Sequence, residues 1–283
     1  MLGARGLLGS SLVRHLRGRA YETLSHSSTA DADVVADLTD ASQVRTAIAK
    51  SAPDVVVNLV ALTDVDACER DPRQAYRLNV RTVENVAASI RNAPGACHLV
   101  HLSTDQVYDG TGPHSEDDVA LTNYYGFSKF AGELAAGYVP STIVRTNFFG
   151  PSECPQRASL SDWVVNSLRQ RRTITVFDDV RFSPLGLPRL VSLLELVIAT
   201  RRIGVFNLGS RDGMTKADFA FTLAGALGLS SEHMTRGASD RTNRLAYRPK
   251  DMTMDSSRFE AAFGVTLPSL KDEIDSVTNA YGS

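Results

Sequence analysis

Tyr125-Gly126-Phe127-Ser128-Lys129 places a phenol and an ammonium four residues apart. On a helix that spacing puts both side chains on one face. A cation beside a phenol lowers its pKa from the usual value of about 10, which makes the phenol a proton donor and acceptor near neutral pH. The same lysine has the reach to hydrogen-bond a ribose. Tyr124 is a decoy, because Ser128 stands four residues after it. Upstream, His101-Leu102-Ser103-Thr104-Asp105-Gln106-Val107-Tyr108 is an apolar run that ends in hydroxyls. As a strand, it puts Ser103 and Thr104 at the carboxyl edge of a sheet, where open α/β folds bind ligands. A threonine hydroxyl there can bond a substrate carbonyl and polarise it. The blander reading is a strand-ending turn whose hydroxyls cap backbone groups; Tyr125 and Lys129 tip the balance towards chemistry.

The second constellation is GARGLLG, in which Gly3, Gly6 and Gly9 lead straight into a helical pattern. This spacing lets the backbone turn tightly against a pyrophosphate whose charge meets the first helical amides. Gly3, Gly6, Leu7 and Leu8 are therefore candidate cofactor contacts, although a glycine-rich turn capping a helix gives the same pattern. NAD-preferring sites place a carboxylate at the end of the second strand, on the ribose 2′-hydroxyl. Here the residues are Ser25-His26-Ser27-Ser28, and Arg5 sits inside the loop where it can meet a 2′-phosphate. The pattern favours NADPH, with NADH possible; a solvated arginine beside a polar loop is the plain alternative. Only Met1 and Leu2 precede the loop. The reading is a truncated first strand, a crippled anchor for the loop and a natural start several residues earlier.

These groups need elements to hold them. Short apolar runs at Tyr21–Ser25, Val34–Ala36, Val55–Val60, His98–Ser103, Thr142–Arg145, Ile174–Phe177 and Val205–Leu208 predict strands. Helical patterns run through Gly6–Arg17, Ala41–Lys50, Asp71–Ile90, Tyr124–Ala136 and Leu160–Arg171. Thr215 is placed to cap a helix over Lys216–Leu227, with Gly228 just beyond its end. Strands alternating with helices predict a Rossmann-like, doubly wound parallel sheet. The rhythm loosens after Gly150, Pro151 and Pro155, which divides the chain into a cofactor-binding domain, residues 1–150, and a smaller, mainly helical substrate-binding lobe, residues 151–283, interleaved with the last Rossmann elements.

At 283 residues, with 43% apolar and 22% charged residues, the chain reads as one globular unit or two intimately joined ones. A net charge of −2 without charge blocks speaks against nucleic acid or anionic membrane as partner. No apolar run approaches the ~20 residues of a spanning helix and no signal peptide opens the chain, so the expected location is the cytoplasm. Cys68, Cys97 and Cys154 have no metal-type spacing and the six histidines are scattered, so no metal site is expected.

Taken together the chain resembles the dTDP-4-dehydrorhamnose reductase family of extended short-chain dehydrogenases/reductases, nearly end to end. The resemblance rests on GARGLLG, Asp37-Leu38, Pro53 through Asp66, Asn79, Ser103 through Gly110, Tyr125 through Lys129 with Gly132-Glu133, Arg145 through Gly150, Arg248-Pro249, Met254-Asp255 and Phe263-Gly264. It implies a proton donor in Tyr125, a phenol partner and ribose ligand in Lys129, and a carbonyl-orienting hydroxyl in Thr104. It implies Asp37 and Leu38 beside the adenine, Ala61, Leu62 and Thr63 along the cofactor, and Asp105 and Phe148 facing the sugar. Arg181, in DDVRFSP, is the candidate for the substrate diphosphate; a surface arginine is the equal alternative. Leu59 and Val60 stand where the family tends to have alanines, and Phe148 where some relatives carry tryptophan.

The activity implied is NADPH-dependent reduction of the keto group of a nucleotide-activated 4-keto-6-deoxysugar, in polysaccharide biosynthesis. A sugar-nucleotide dehydratase or epimerase is a second reading. Related dehydratases carry Asp-Glu after the threonine, whereas here Gln106 follows Asp105 and cannot shuttle a proton. A non-catalytic, NADP-binding regulatory subunit is the third, since the methionine adenosyltransferase regulatory subunit is similar in fold and pattern. The stretches Asp71–Ile90 and Tyr124–Ala136 are candidate faces of a homodimer.

Overall fold

Val55-Val56-Val57 alternates its side chains between two hydrophobic layers, as a strand covered on both faces must. The computed structural model that shows this describes residues 1–29, 31–154, 157–241 and 245–281. The first half runs α1 (Leu7–Arg17), β1 (His26–Ser27), β2 (Val34–Val35), α2 (Ala41–Ser51), β3 (Val55–Asn58), α3 (Val65–Arg70), α4 (Pro72–Tyr76), a π-helical turn (Arg77–Arg81), α5 (Thr82–Arg91), β4 (His98–Thr104), α6 (Tyr124–Ala136) and β5 (Ser141–Thr146). The second half runs β6 (Phe148–Phe149), α7 (Leu160–Arg169), β7 (Ile174–Phe177), β8 (Arg181–Phe182), β9 (Leu185–Gly186), α8 (Leu187–Thr200), β10 (Gly204–Leu208), β11 (Met214–Thr215), α9 (Lys216–Ala226), β12 (Met234–Gly237), β13 (Asp251–Met252), α10 (Ser257–Phe263) and α11 (Leu270–Thr278).

The main sheet is parallel in the order β10-β5-β4-β3. Met1–Ala4 continues it beyond β3. Leu2 donates to Val57 O at 2.8 Å and accepts from Leu59 N at 3.1 Å, while Met1 O accepts from His26 N at 2.9 Å. The strand order therefore reverses between Met1–Ala4 and β3, the crevice where a doubly wound fold takes its ligand. Val57, Val100, Leu102 and Val144 face α1, α8 and α10 on one side of the sheet. Val56, Leu99 and Ile143 face α2, α5 and α6 on the other. A separate core in the second half joins Phe149, Val164, Phe182, Phe219, Leu223, Ile274 and Tyr281.

The glycine-loop anchor expected to be crippled is intact, because those backbone bonds grip Met1 and Leu2 from both sides. The strand expected at Tyr21–Ser25 is not formed. Tyr21–Leu24 run along a cavity of about 570 Å³, and only single backbone bonds reach this stretch, from the Met1 amine to Leu24 O at 2.8 Å and from Val34 N to Ser25 O at 2.9 Å, so the regular ladder starts at His26. The helix expected over Asp71–Ile90 is three pieces, α4, the π turn and α5. The Thr215 cap is present, donating partner Asp218 N at 3.0 Å. Helices α3, α8, α10 and α11 are not marked by the sequence patterns; α8 starts on Leu187-Pro188 with no side-chain cap, and its burial of Leu190, Leu194 and Val197 makes it a helix.

Candidate active site

Thr104 is the last residue of β4 and is 5% exposed. Tyr125, in the first turn of α6, is 7% exposed and the Thr104 hydroxyl acts as a donor towards its phenol. Lys129 lies one turn on, 3% exposed, and donates from Nζ to Leu102 O at 2.6 Å. The Tyr125–Lys129 pair picked out by spacing and the strand-end hydroxyl of Thr104 thus lie together at the carboxyl end of the sheet.

The electrostatics differ from the expectation. Burial raises the Tyr125 phenol above its ordinary value, the Asp105 charge adds to this, and the bond to Thr104 opposes it. Burial also lowers Lys129 to about 8, against the pull of Glu133. Desolvation, not the cation, governs here, so the phenol rests protonated, the state a proton donor requires.

Glycines and asparagines set this geometry. Asn123 caps α6 by accepting from Gly126 N at 2.8 Å, and its amide donates to Tyr247 O at 3.1 Å. Gly126 lies so close to Gln106 O that a Cβ would collide with it, and this approach brings Tyr125 to Thr104. Gly132 lets Asn79 O pass within 2.5 Å of where its Cβ would be. Asn79, on the π turn and fully buried, accepts from Leu62 N at 2.7 Å and donates to Ser128 Oγ at 2.8 Å. It therefore ties the Ala61-Leu62-Thr63 loop to α6. Beneath them, Glu133 pairs with Arg145 at 2.6 Å, both side chains 3% exposed, and accepts from Ser103 Oγ at 2.5 Å.

The glycine loop has the shape of an anion cradle. Gly3 adopts φ +77°, a region that suits glycine, and a Cβ there would sit 3.2 Å from Val60. Gly9 packs so tightly on Gly3 O that no side chain fits. Gly6 begins α1 with no side-chain cap and no acidic residue in the first turn. A cap is worth about 1 kcal/mol and each fully buried leucine about 1.5–3 kcal/mol, so Leu8, Leu12 and Leu16 can hold α1 and leave its first amides for a ligand. The loop residues thus fit a dinucleotide pyrophosphate.

Other expected residues fall variously. Leu8 is buried in the core, while Leu7 is half-buried and Arg5 exposed. The Asp37 carboxylate is exposed and takes Thr39 N at 2.9 Å, and Leu38 is buried against α2 and α5. No carboxylate occupies His26–Thr29. Asp105 is 1% exposed, and burial raises it to about 6, against its bond to Asn147. Phe148 is half-buried on β6, against the sheet core. Arg181 is not brought to this site by any contact. Its guanidinium lies 3.7 Å from Asp251 and donates to Gly213 O at 3.2 Å. The cation that acts electrostatically on Asp105 is Lys216, whose Nζ lies 5.8 Å from the centre of the Phe182 ring. No local spacing marks Lys216; only the fold carries it there. Among the described residues no group of three or more His, Cys, Asp or Glu could hold a metal, and no helix is long and apolar enough to cross a membrane.

Comparison with known proteins agrees with this arrangement. The chain is 33% identical over 276 residues to the dTDP-4-dehydrorhamnose reductase of Streptomyces griseus, covering 92% of this chain and 86% of that one. It is 29% identical over 293 residues to the probable low-salt glycan biosynthesis reductase Agl14 of Haloferax volcanii, covering 99% and 96%. The crystal structure of dTDP-4-dehydrorhamnose reductase from Bacillus anthracis in complex with NADP shares the fold, with a TM-score of 0.88 at 23% identity over 99% of this chain and 97% of that one. Over residues 1–283 the chain matches the family described as RmlD substrate binding domain, and it belongs to that family.

Proposed function

We propose that the chain reduces the keto group of a nucleotide-activated 4-keto-6-deoxysugar with NADPH. The observation that carries this reading is the convergence of the Thr104 and Tyr125 hydroxyls above Lys129 at the end of β4. A carbonyl oxygen placed between those hydroxyls receives two hydrogen bonds, which stabilise the negative charge that grows on it. Tyr125 passes its proton to that oxygen, and Lys129 holds its positive charge beside the phenol and within reach of a ribose. Bound NADPH supplies the hydride. Gly3, Gly6 and the first amides of α1 would hold its pyrophosphate, Ala61, Leu62 and Thr63 would flank it, and Arg5 together with the carboxylate-free His26–Thr29 favours the 2′-phosphate. In this reading residues 1–150 hold the cofactor and residues 151–283 wall the sugar, with Asp105, Phe148 and Lys216 at the junction.

Gln106 has no carboxyl to shuttle protons, which speaks against dehydration. Fluorescence titration with NADPH and NADH, followed by dTDP-4-keto-6-deoxyhexose, tests the reading. Tight NADPH binding and oxidation are expected; binding without oxidation by any nucleotide-linked keto sugar would favour the regulatory reading.

A homodimer is part of the proposal. The exposed positions Tyr124, Phe127, Leu134 and Tyr138, on and just beyond α6, carry no charge, and Tyr76 adds to the surface. Leu134→Glu should turn a sedimenting dimer into a monomer; an unchanged sedimentation coefficient would place the interface elsewhere.

A further inference from the structure

The buried carboxyl of Asp105 has no step in the reaction above, yet it accepts a hydrogen bond from the catalytic Thr104 hydroxyl. Thr104 Oγ1 donates to Asp105 Oδ1 at 3.2 Å, and Asn147 Nδ2 donates to Asp105 Oδ2 at 2.6 Å. Thr104 Oγ1 also accepts from Gln106 N at 3.2 Å, and its hydroxyl acts as a donor towards the Tyr125 phenol oxygen. A hydroxyl has one proton and two lone pairs. Gln106 takes one lone pair, so the single Thr104 proton goes to Asp105, to the phenol oxygen or to a substrate oxygen. An ionised carboxylate wins that contest, because its hydrogen bonds are about twice as strong as neutral ones.

We propose that Asp105 is a positioning residue whose protonation sets the direction in which the Thr104 hydroxyl donates. Ionised, it holds the Thr104 proton. Protonated, it donates to Thr104 Oγ1 and so frees the Thr104 proton for the keto oxygen, while the phenol keeps its own proton for transfer. No bond other than hydrogen bonds changes. The charged and titratable groups facing it are Lys216 at the start of α9, which favours the ionised form, and Tyr125 on α6. Burial works against Lys216 and places the changeover at about 6. The inference rests on the reductase reading.

The test is the pH profile of kcat from 5.5 to 8 at saturating NADPH and nucleotide-linked keto sugar. In the wild type kcat should fall as pH rises through the Asp105 changeover, by up to about tenfold per unit above it, with little change in KM. Asp105→Asn has an amide that donates to Thr104 at every pH, so its profile should lose this limb. Thr104→Val removes the hydroxyl being steered, and its slower residual rate should lose the limb too, which keeps the test open if Asp105→Asn does not fold. A flat wild-type profile overturns the proposal, as does a limb that survives in either variant. Absence of reduction at every pH would overturn the reductase reading and this inference with it.

Discussion

Tyr125 does its work from a site that is nearly dry. Burial holds the phenol protonated, and Thr104 fixes its direction. Replacing it with phenylalanine keeps the ring and removes the proton. Tyr125→Phe should lower kcat by about 10²–10⁴, the usual worth of positioned acid catalysis, with NADPH affinity and Tm nearly unchanged; a stopped-flow rate within threefold of wild type would show that another group is the donor. Asp105 makes a separate prediction about stability. Its pKa in the fold, about 6, lies above the ordinary 3.8, so the folded chain holds a proton that the unfolded chain releases. The stability this contributes is fully present below pH ~4, is lost as pH rises through ~6, and amounts to at most about 3 kcal/mol. Asp105→Asn should therefore gain in Tm on the wild type as pH rises from 4 to 7, and thermal melts at several pH values would show whether the gap widens. The Tyr-Lys pair was readable in the sequence because one helical turn fixes its geometry. Asn147 and Lys216 were not, since their distance from Asp105 is set by long-range topology.

Helix α6 is the element on which the site depends. Asn123 starts it, Gly126 presses it on the turn after β4, and Gly132 lets the π turn with Asn79 lie across it. Gly126→Ala would drive a methyl into Gln106 O, so the helix must lift and carry Tyr125 from Thr104. A loss of kcat of at least about 100-fold is expected, since displacements near 1 Å cost that much; activity near wild type would mean that α6 tolerates the shift. The boundaries of α6 and the long strand β4 were legible because each pattern is local. The break of the Asp71–Ile90 helix was not, because the π turn serves to reach Leu62 and Ser128, both remote in sequence. At Tyr21–Ser25 the neighbouring segments reach only the last two residues, through Met1 N to Leu24 O and Val34 N to Ser25 O, and strand propensity forms no ladder from so few bonds.

At the scale of the whole molecule, β10 returns from the second half of the chain to complete the sheet beside β5, so the two halves share a layer. The parallel order and the reversal next to Met1–Ala4 follow from strand and helix alternation, which is why the fold class could be read from the sequence; the division of the second half into small sheets could not, as two-residue strands such as β8 and β11 leave no periodic trace. The buried Glu133–Arg145 pair joins α6 to β5 and, through Arg145, reaches Tyr108 at 2.7 Å. Glu133→Gln would leave the guanidinium short of its charge partner and should cost about 3–5 kcal/mol in denaturant unfolding; a cost below 1 kcal/mol would show that water reaches the pair. Reduction of the sugar turns on where the hydride goes. Incubating the enzyme with 4-deuterated NADPH and a nucleotide-linked 4-keto-6-deoxyhexose, then locating the label by NMR, tests it most directly. Deuterium is expected on the sugar carbon that bore the keto group, at one configuration, and none with Tyr125→Phe over the same time. An unlabelled sugar, or one labelled equally by the Phe variant, would contradict it.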